Sequence, residues 1–388
     1  MDLLERWSHA VRRELDAAVQ LRHELHRTPR VSGDEADTAA RVVAALGAGE
    51  GRLVAGTGRL LSVVGGPAGG RGAVAVRTEL DGLPVLEQTG VEWASPSGSM
   101  HACGHDVHMA ALVAVARAAR HLDLPVPLVA LLQPREEGAD SGAADVVDEG
   151  GLDGVAAVVA AHVQPQLPAG AVAVTPGAVN AGTDEFTLTV RGQGGHSGYP
   201  HTVDDSVLAL SAVVVSLQQL AARRIDPVVG VACMVNQLRA GSANNVVPEV
   251  AVGSGTIRTM RSSDRQHAHE AVRDIAGHIA AAHGCTVEVD IAHGEPPLVN
   301  DAALAHATAP YLQRLGHAVT TDFRSFGSDD FSSYCSRTRG LMMFVGTGAE
   351  RGGLHDATFL PDDGYVALVA DALVAGCCAA MEIAHRAG

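Results

Sequence analysis

Four short apolar runs, GAVAVRTEL, PLVALLQ, GVAAVVAAHV and GLMMFVGTG, limit more than any other feature how this chain can fold. None shows the sustained in–out alternation of a half-solvated strand, so both faces must be covered, as in a parallel sheet layered with helices. Segments of helical period stand around them: the pattern is helical from Asp2 to about Leu46, DVHMAALVAVARAARHL begins at Asp106, and YVALVADALVAGCCAAMEIA closes the chain. This alternation predicts an α/β domain with a largely parallel sheet, to which LLSVVGG adds a further strand. GGPAGGRG, from Gly65 to Gly72, has no helix start after it and reads as a hairpin loop, not a phosphate cradle.

The pattern changes near Thr183. EFTLTVRG alternates apolar and polar residues, DSVLALSAVVVSLQQLAARR is helical, VVGVACMVNQLRAG and VAVGSGTIRTM read as strands, and a helix runs from Ser263 to about His283. Strand, helix, strand, strand, helix, strand is the ferredoxin-like order, which predicts an inserted α+β domain over about 183–293 within an α/β domain of 1–182 and 294–388. A length of 388 residues exceeds what one core usually supports, and a hydrophobic fraction of 47% supplies two.

A formal charge of −16 repels nucleic-acid phosphates and anionic membranes, so neither is an expected partner. All 28 basic side chains are Arg, which excludes a lysine Schiff base, a P-loop lysine and a serine–lysine dyad. The six cysteines are scattered without a repeating spacing, which argues against a disulfide framework. The first residues lack the apolar stretch of a signal peptide, and no segment approaches the ~20 uninterrupted apolar residues of a membrane span. The expected compartment is the cytoplasm.

The densest polar cluster is MHACGHDVH, where Cys103 and His105 flank one Gly ahead of a helix. Thiolate and imidazole are typical ligands for Zn²⁺ and similar ions, although for this pair alone a buried Cys beside a hydrogen-bonded His is the commoner arrangement. QPREEGADSGA follows the run PLVALLQ and carries adjacent Glu136 and Glu137. The two project differently, so one can bind a cation while the other faces a water; a solvated acidic turn is the alternative. His162 ends the run GVAAVVAAHV, and His355 in GGLHDATF follows GLMMFVGTG. Each alone fits a structural histidine. Together, four strand ends deliver Cys/His, Glu/Glu, His and His to the carboxyl edge of one sheet, where α/β folds place their ligands.

LHRTPRVSGDE, VRTELDGLPV, MHACGHDVHMAAL, QPREEGADSGA, AHVQPQLPAG, VRGQGGHSGYPH, LRAGSANNVVPE, GTIRT, FGSDDF and GGLHDATF resemble, in order and over almost the whole chain, the M20 metallopeptidases and amidohydrolases. The likeness is to the branch with aminoacylases, hippurate hydrolases and auxin-conjugate hydrolases. It implies a zinc-exopeptidase-like catalytic domain whose insert is a lid and dimerisation domain. It further implies two divalent ions, Zn²⁺ first and Mn²⁺, Co²⁺ or Ni²⁺ as alternatives, held by Cys103 (bridging), His105, Glu137, His162 and His355. In the same carry-over Glu136 is the general base and Asp81 orients the centre. His196 completes the site of the other subunit in a homodimer, and Asn245 and Arg258 hold the substrate's carboxylate. Three positions depart from the family pattern: Glu79 and Arg30 stand where Asp and Glu are usual, and Asp329 where Glu is usual.

The implied reaction is hydrolysis of the amide bond of an N-acyl amino acid or related small conjugate. A dipeptidase or carboxypeptidase of the same family is the nearest alternative. A cysteine hydrolase with Cys103 as nucleophile and His105 as base leaves both glutamates, His162 and His355 unexplained, and a non-catalytic metal-containing binding protein has no need of Glu136.

Overall fold

The four apolar runs form the centre of an eight-stranded sheet in a computed structural model that describes residues 1–65, 72–138, 140–348 and 352–387. Leu128–Gln133, Ala73–Glu79, Val155–Gln164 and Arg339–Gly346 lie side by side and parallel. On one side Gly58–Val64 pairs antiparallel with Leu128–Gln133 and Arg52–Val54 antiparallel with Gly58–Val64; on the other, Ala171–Ala173 pairs antiparallel and Ala318–Thr320 follows parallel to it. The sheet is therefore mixed and mostly parallel at its centre. Every residue of Ala73–Glu79 and of Leu128–Gln133 is buried, which is why these runs do not alternate. Most of the glycine-rich stretch read as a hairpin loop, 66–71, lies outside the described residues.

Two compact units divide the chain. The larger comprises Met1–Gly177, Val299–Phe323 and Asp330–Gly388 and contains the eight-stranded sheet. Helix His105–Ala119 buries every residue except Arg117, and Trp7 on the first helix donates its indole N–H to Val115 O (3.0 Å). Burying a Val or Leu side chain contributes about 1.5–3 kcal/mol relative to exposure, so a helix apolar on all sides is stable only in such surroundings. The closing helix Gly364–Ala387 is likewise part of this core. By length and composition it is the one helix among the described residues that meets the requirement for a membrane span, but most of its apolar stretch is buried inside the unit.

The start of helix His105–Ala119 is fixed by buried charge. Arg22, fully buried, donates to Asp106 Oδ2 (3.0 Å), to Pro361 O (2.6 Å) and to Asp363 Oδ1 (2.8 Å). His26 lies between Asp106 and Glu87, 3.1 Å from each carboxylate. Burial lowers its pKa, but the two carboxylates outweigh burial and push it up to about 9.

The smaller unit comprises Ala178–Leu298 and Arg324–Asp329. Its four-stranded antiparallel sheet has the spatial order Val231–Ala240, Val250–Thr259, Gly182–Arg191, Thr286–His293. Helices Ser206–Leu217 and Ser262–Ala282 stand between strands in a βαββαβ chain order, and the first ends before a separate π-helical turn at Leu220–Arg224. Phe186, Leu188 and Val190 alternate into a core with Val213, Leu217, Val272 and Ile275. The change of pattern at Thr183 gives no sign of the segment Arg324–Asp329. It belongs here because Ser325 N–H donates to Val179 O (2.9 Å) while Ala181 N–H faces Ser325 O and Gly327 O at 3.1 Å.

Candidate metal centre

Gly104 occupies the left-handed region (φ +85°) between Cys103 and His105, at the N-cap of helix His105–Ala119. A Cβ there would lie 2.5 Å from Val163 Cγ2, so only glycine lets this loop meet the strand that carries His162. The result is a contact of 3.4 Å between Cys103 Sγ and His162 Nε2. His162 donates its Nδ1–H to Val163 O (2.6 Å) and His105 its Nδ1–H to Asp81 O (2.8 Å), which leaves the Nε2 lone pair of each ring for another partner.

The loop after Leu128–Gln133 supplies the glutamates. Arg135 is held at φ +55° while its N–H donates to Glu35 Oε1 (2.9 Å), and Glu137 N–H donates to Asp81 Oδ2 (2.9 Å). Gly142 closes this loop, since a Cβ there would stand 1.7 Å from Pro134 O. Glu136 Oε2 and Glu137 Oε1 come within 3.6 and 4.0 Å of His105 Nε2. His355, at φ +68°, donates its N–H to Ala102 O (2.9 Å) and sets its Nε2 3.3 Å from Glu137 Oε1.

The donor atoms fall into two groups, Cys103–His105–His162 and Cys103–Glu137–His355, each with its atoms within 4.8 Å of one another and both containing Cys103. A further group, His105–Glu136–Glu137, borders them. His105 Nε2 and Glu137 Oε1 are buried without a hydrogen-bond partner, which is costly unless something else satisfies them. Burial pushes the Cys103 thiol well above its ordinary range, and the charges of Glu137 and Glu136 push it further. Burial also raises Glu137, but the imidazole of His355 beside its carboxylate and the charge of His105 overcome it and hold the carboxyl at about 2. His162 is driven down to about 3 by burial and then by His108. Burial lowers His105 as well, yet the carboxylates of Glu79, Asp81 and Glu137 raise it on balance. Two orphaned donors, a neutral imidazole and clustered carboxylates around one thiol fit borderline divalent cations.

Asp81 acts in this geometry through its backbone carbonyl on His105 and through its carboxylate on Glu137 and on Ser32 Oγ–H (2.6 Å). His196, Asn245 and Arg258 belong to the smaller unit. Gly195–His196 pairs with Val246–Val247, and Ser197 N–H donates to Asn245 O (3.1 Å), so the His196 and Asn245 segments are adjacent. His196 is exposed, and Arg258 donates to Phe326 O (2.8 Å). Of the departing residues, Arg30 is at the surface with Asp34 and Asp37, Asp329 is buried in the smaller unit, and Glu79 is buried between Arg77 and His108. Arg77 also donates to Gln133 Oε1 (2.8 Å) and Asp330 Oδ1 (3.0 Å). These buried partners were not read from the sequence, although charges inside an apolar run were the available signal.

A model of peptidase family M20/M25/M40 matches residues 75–370. The chain belongs to this family. An N-acetylcysteine deacetylase of Bacillus subtilis is 31% identical over 352 residues, covering 89% of this chain and 92% of the relative. Thermostable carboxypeptidase 2 of Saccharolobus solfataricus is 31% identical over 388 residues, covering 97% and 98%. The solved structure of a Bacillus subtilis dinuclear metal binding peptidase of the M20 family has a TM-score of 0.82 at 27% identity, covering 96% of this chain and 99% of that one. This M20 protein is accordingly a hydrolytic enzyme, as the resemblance of its motifs implies.

If Cys103 and His105 hold a cation, its uptake by the metal-free protein displaces the proton from Cys103 and any proton on His105 Nε2. Calorimetric titration with Zn²⁺ in buffers of different ionisation enthalpy should therefore show proton release, with affinity falling as pH is lowered. Uptake with no proton released would contradict the assignment of Cys103 as a donor.

Proposed function

We propose that this M20 enzyme hydrolyses the amide bond of N-acyl amino acids or related small conjugates at a centre of two divalent ions held by Cys103, His105, Glu137, His162 and His355. The observation that carries this is the pair of three-donor groups sharing Cys103, with Glu136 beside them. Such ions, when bound, lower the pKa of water towards 7 and polarise the scissile carbonyl. Glu136, largely buried and hydrogen-bonding distance or little more from the donors, takes a proton from the attacking water and returns it to the leaving nitrogen, a role generally worth about 10²–10⁴-fold. Zn²⁺ suits the mixed S/N/O donor set, as do Mn²⁺, Co²⁺ and Ni²⁺. Arg258 and Asn245 would take the substrate's carboxylate, for which the guanidinium fork is suited.

A cysteine hydrolase is disfavoured by the same site. Cys103 meets His162 and not His105, its thiol is held protonated, and His162 is too weak a base to activate it. The carboxypeptidase relative makes peptide substrates the second reading. Acetyl, benzoyl and longer acyl amino acids assayed beside dipeptides separate the two. Glu136→Gln should retain its metal and lose turnover by at least about 10²-fold, whereas Glu137→Gln should lose metal. Near-normal turnover in metal-loaded Glu136→Gln would remove Glu136 as the base.

The βαββαβ unit is read as a ferredoxin-like lid and dimerisation domain. Strand Val231–Ala240 lies at an edge of its sheet with Met234 and Leu238 exposed, and helix Ser206–Leu217 exposes Leu208 and Val215. In a homodimer formed through these elements, His196 of one subunit would stabilise the oxyanion at the other's site. Glu136→Gln and His196→Ala, each inactive alone, should regain roughly a quarter of wild-type activity after subunit exchange, because half the dimers are mixed and each has one intact site. No recovery after demonstrated exchange, or full activity of His196→Ala alone, would rule out the shared site.

A further inference from the structure

A buried chain of hydrogen bonds approaches the centre from a residue assigned no part in it. His108 accepts Val163 N–H at Nε2 (3.0 Å) and faces Glu79 Oε2 through Nδ1 (3.1 Å). A backbone amide can only donate, so Nε2 supplies the lone pair and Nδ1 carries the proton, donated to the carboxylate. The tautomer is thereby fixed, and His108, although near Glu79 and His105, has no nitrogen left for a cation. Beyond the Val163 peptide, His162 Nδ1–H donates to Val163 O (2.6 Å) and Nε2 meets Cys103 Sγ (3.4 Å). Every donor along this path is oriented the same way, from His162 back towards the Glu79 carboxylate.

We propose that Glu79 is a positioning residue for the metal centre, acting through His108 and the Val163 backbone to hold the His162 ring with its Nε2 lone pair at Cys103. This role presupposes the cation-holding group Cys103–His105–His162 of the preceding section. Glu79, His108 and His162 are 1%, 2% and 5% exposed, so water cannot substitute for a missing link. Arg77 occupies Glu79 Oε1 and is itself held by Gln133 and Asp330, which fixes the carboxylate with Oε2 at His108. The Val163 N–H and carbonyl belong to successive peptide groups, so the path conveys position rather than charge: His108 pins the Val163 backbone that orients the His162 ring, and ligating histidines depend on such outer hydrogen bonds for their orientation. A residue that merely balanced the charge of Arg77 would need no such alignment.

The test is Zn²⁺ affinity of metal-free protein, measured by competition with a chelator, together with the visible spectrum of the Co²⁺-loaded form. Glu79→Gln keeps the shape but turns an N–H on either Arg77 or His108, both of which donate to Glu79; it should weaken one of the two binding steps roughly tenfold and shift the Co²⁺ bands. Glu79→Asp, which restores the charge, should recover much of both. His108→Phe should show a similar loss, and the double variant little more than either single one, because all interrupt one path. If Glu79→Gln does not fold, His108→Phe, which leaves the Arg77 ion pair intact, decides alone. A lower melting temperature with unchanged affinity and unchanged bands would make Glu79 structural and overturn the proposal. Failure of the wild type to bind any divalent ion would instead overturn the cation-holding group itself, and the relay with it.

Discussion

Asp81, two residues beyond strand Ala73–Glu79, holds three segments of the candidate centre to one another. Its carbonyl oxygen faces the Nδ1 atoms of both His101 (3.1 Å) and His105 (2.8 Å), and its carboxylate accepts Glu137 N–H and Ser32 Oγ–H. The parallel sheet sets where this residue stands, because Ala73–Glu79 lies between the strands that lead to Glu137 and to His162. One buried residue thus converts sheet register into the spacing of donors from separate parts of the chain. Its work is done as much by the backbone as by the side chain.

The arrangement is expensive without a cation. Glu79, Asp81 and Glu137 crowd a thiol and several imidazoles in a space largely closed to water, and Asp81 Oδ1, His101 Nε2, His105 Nε2 and Glu137 Oε1 are buried without hydrogen bonds. An uncompensated buried charge costs several kcal/mol, so the fold around the centre must supply rigidity from elsewhere. Arg22 and Arg77 do so, each fully buried and each fastening distant segments. A divalent ion would relieve the crowding directly; at about 100 times its Kd it would add about 2.7 kcal/mol to folding stability. Cation binding through Cys103 and His105, as proposed, would therefore be coupled to folding.

Much of this was legible in the chain. The apolar runs declared the central strands because burial on both faces leaves a local signature, and Glu136, Glu137, His162 and His355 end or closely follow such runs, while Cys103 and His105 stand ahead of a helix. Other features have no local signature. The positive φ of Arg135 and His355 is imposed by tertiary hydrogen bonds, not by residue type, and the carbonyl of Asp81 is invisible in a side-chain motif. Arg324–Asp329 joins the smaller unit through backbone pairing with Val179 and Ala181, far away in sequence. His108 resembles a metal ligand in HDVH, and only its two occupied nitrogens reveal a different part.

In the proposed centre one thiolate, that of Cys103, serves both cation sites. X-ray absorption at the edge of the loaded metal measures this directly. For Zn²⁺ the account predicts a sulfur shell at about 2.3 Å with one sulfur for each of two ions, abolished in Cys103→Ser. A spectrum fitted by nitrogen and oxygen neighbours alone in the fully loaded wild-type protein would contradict it.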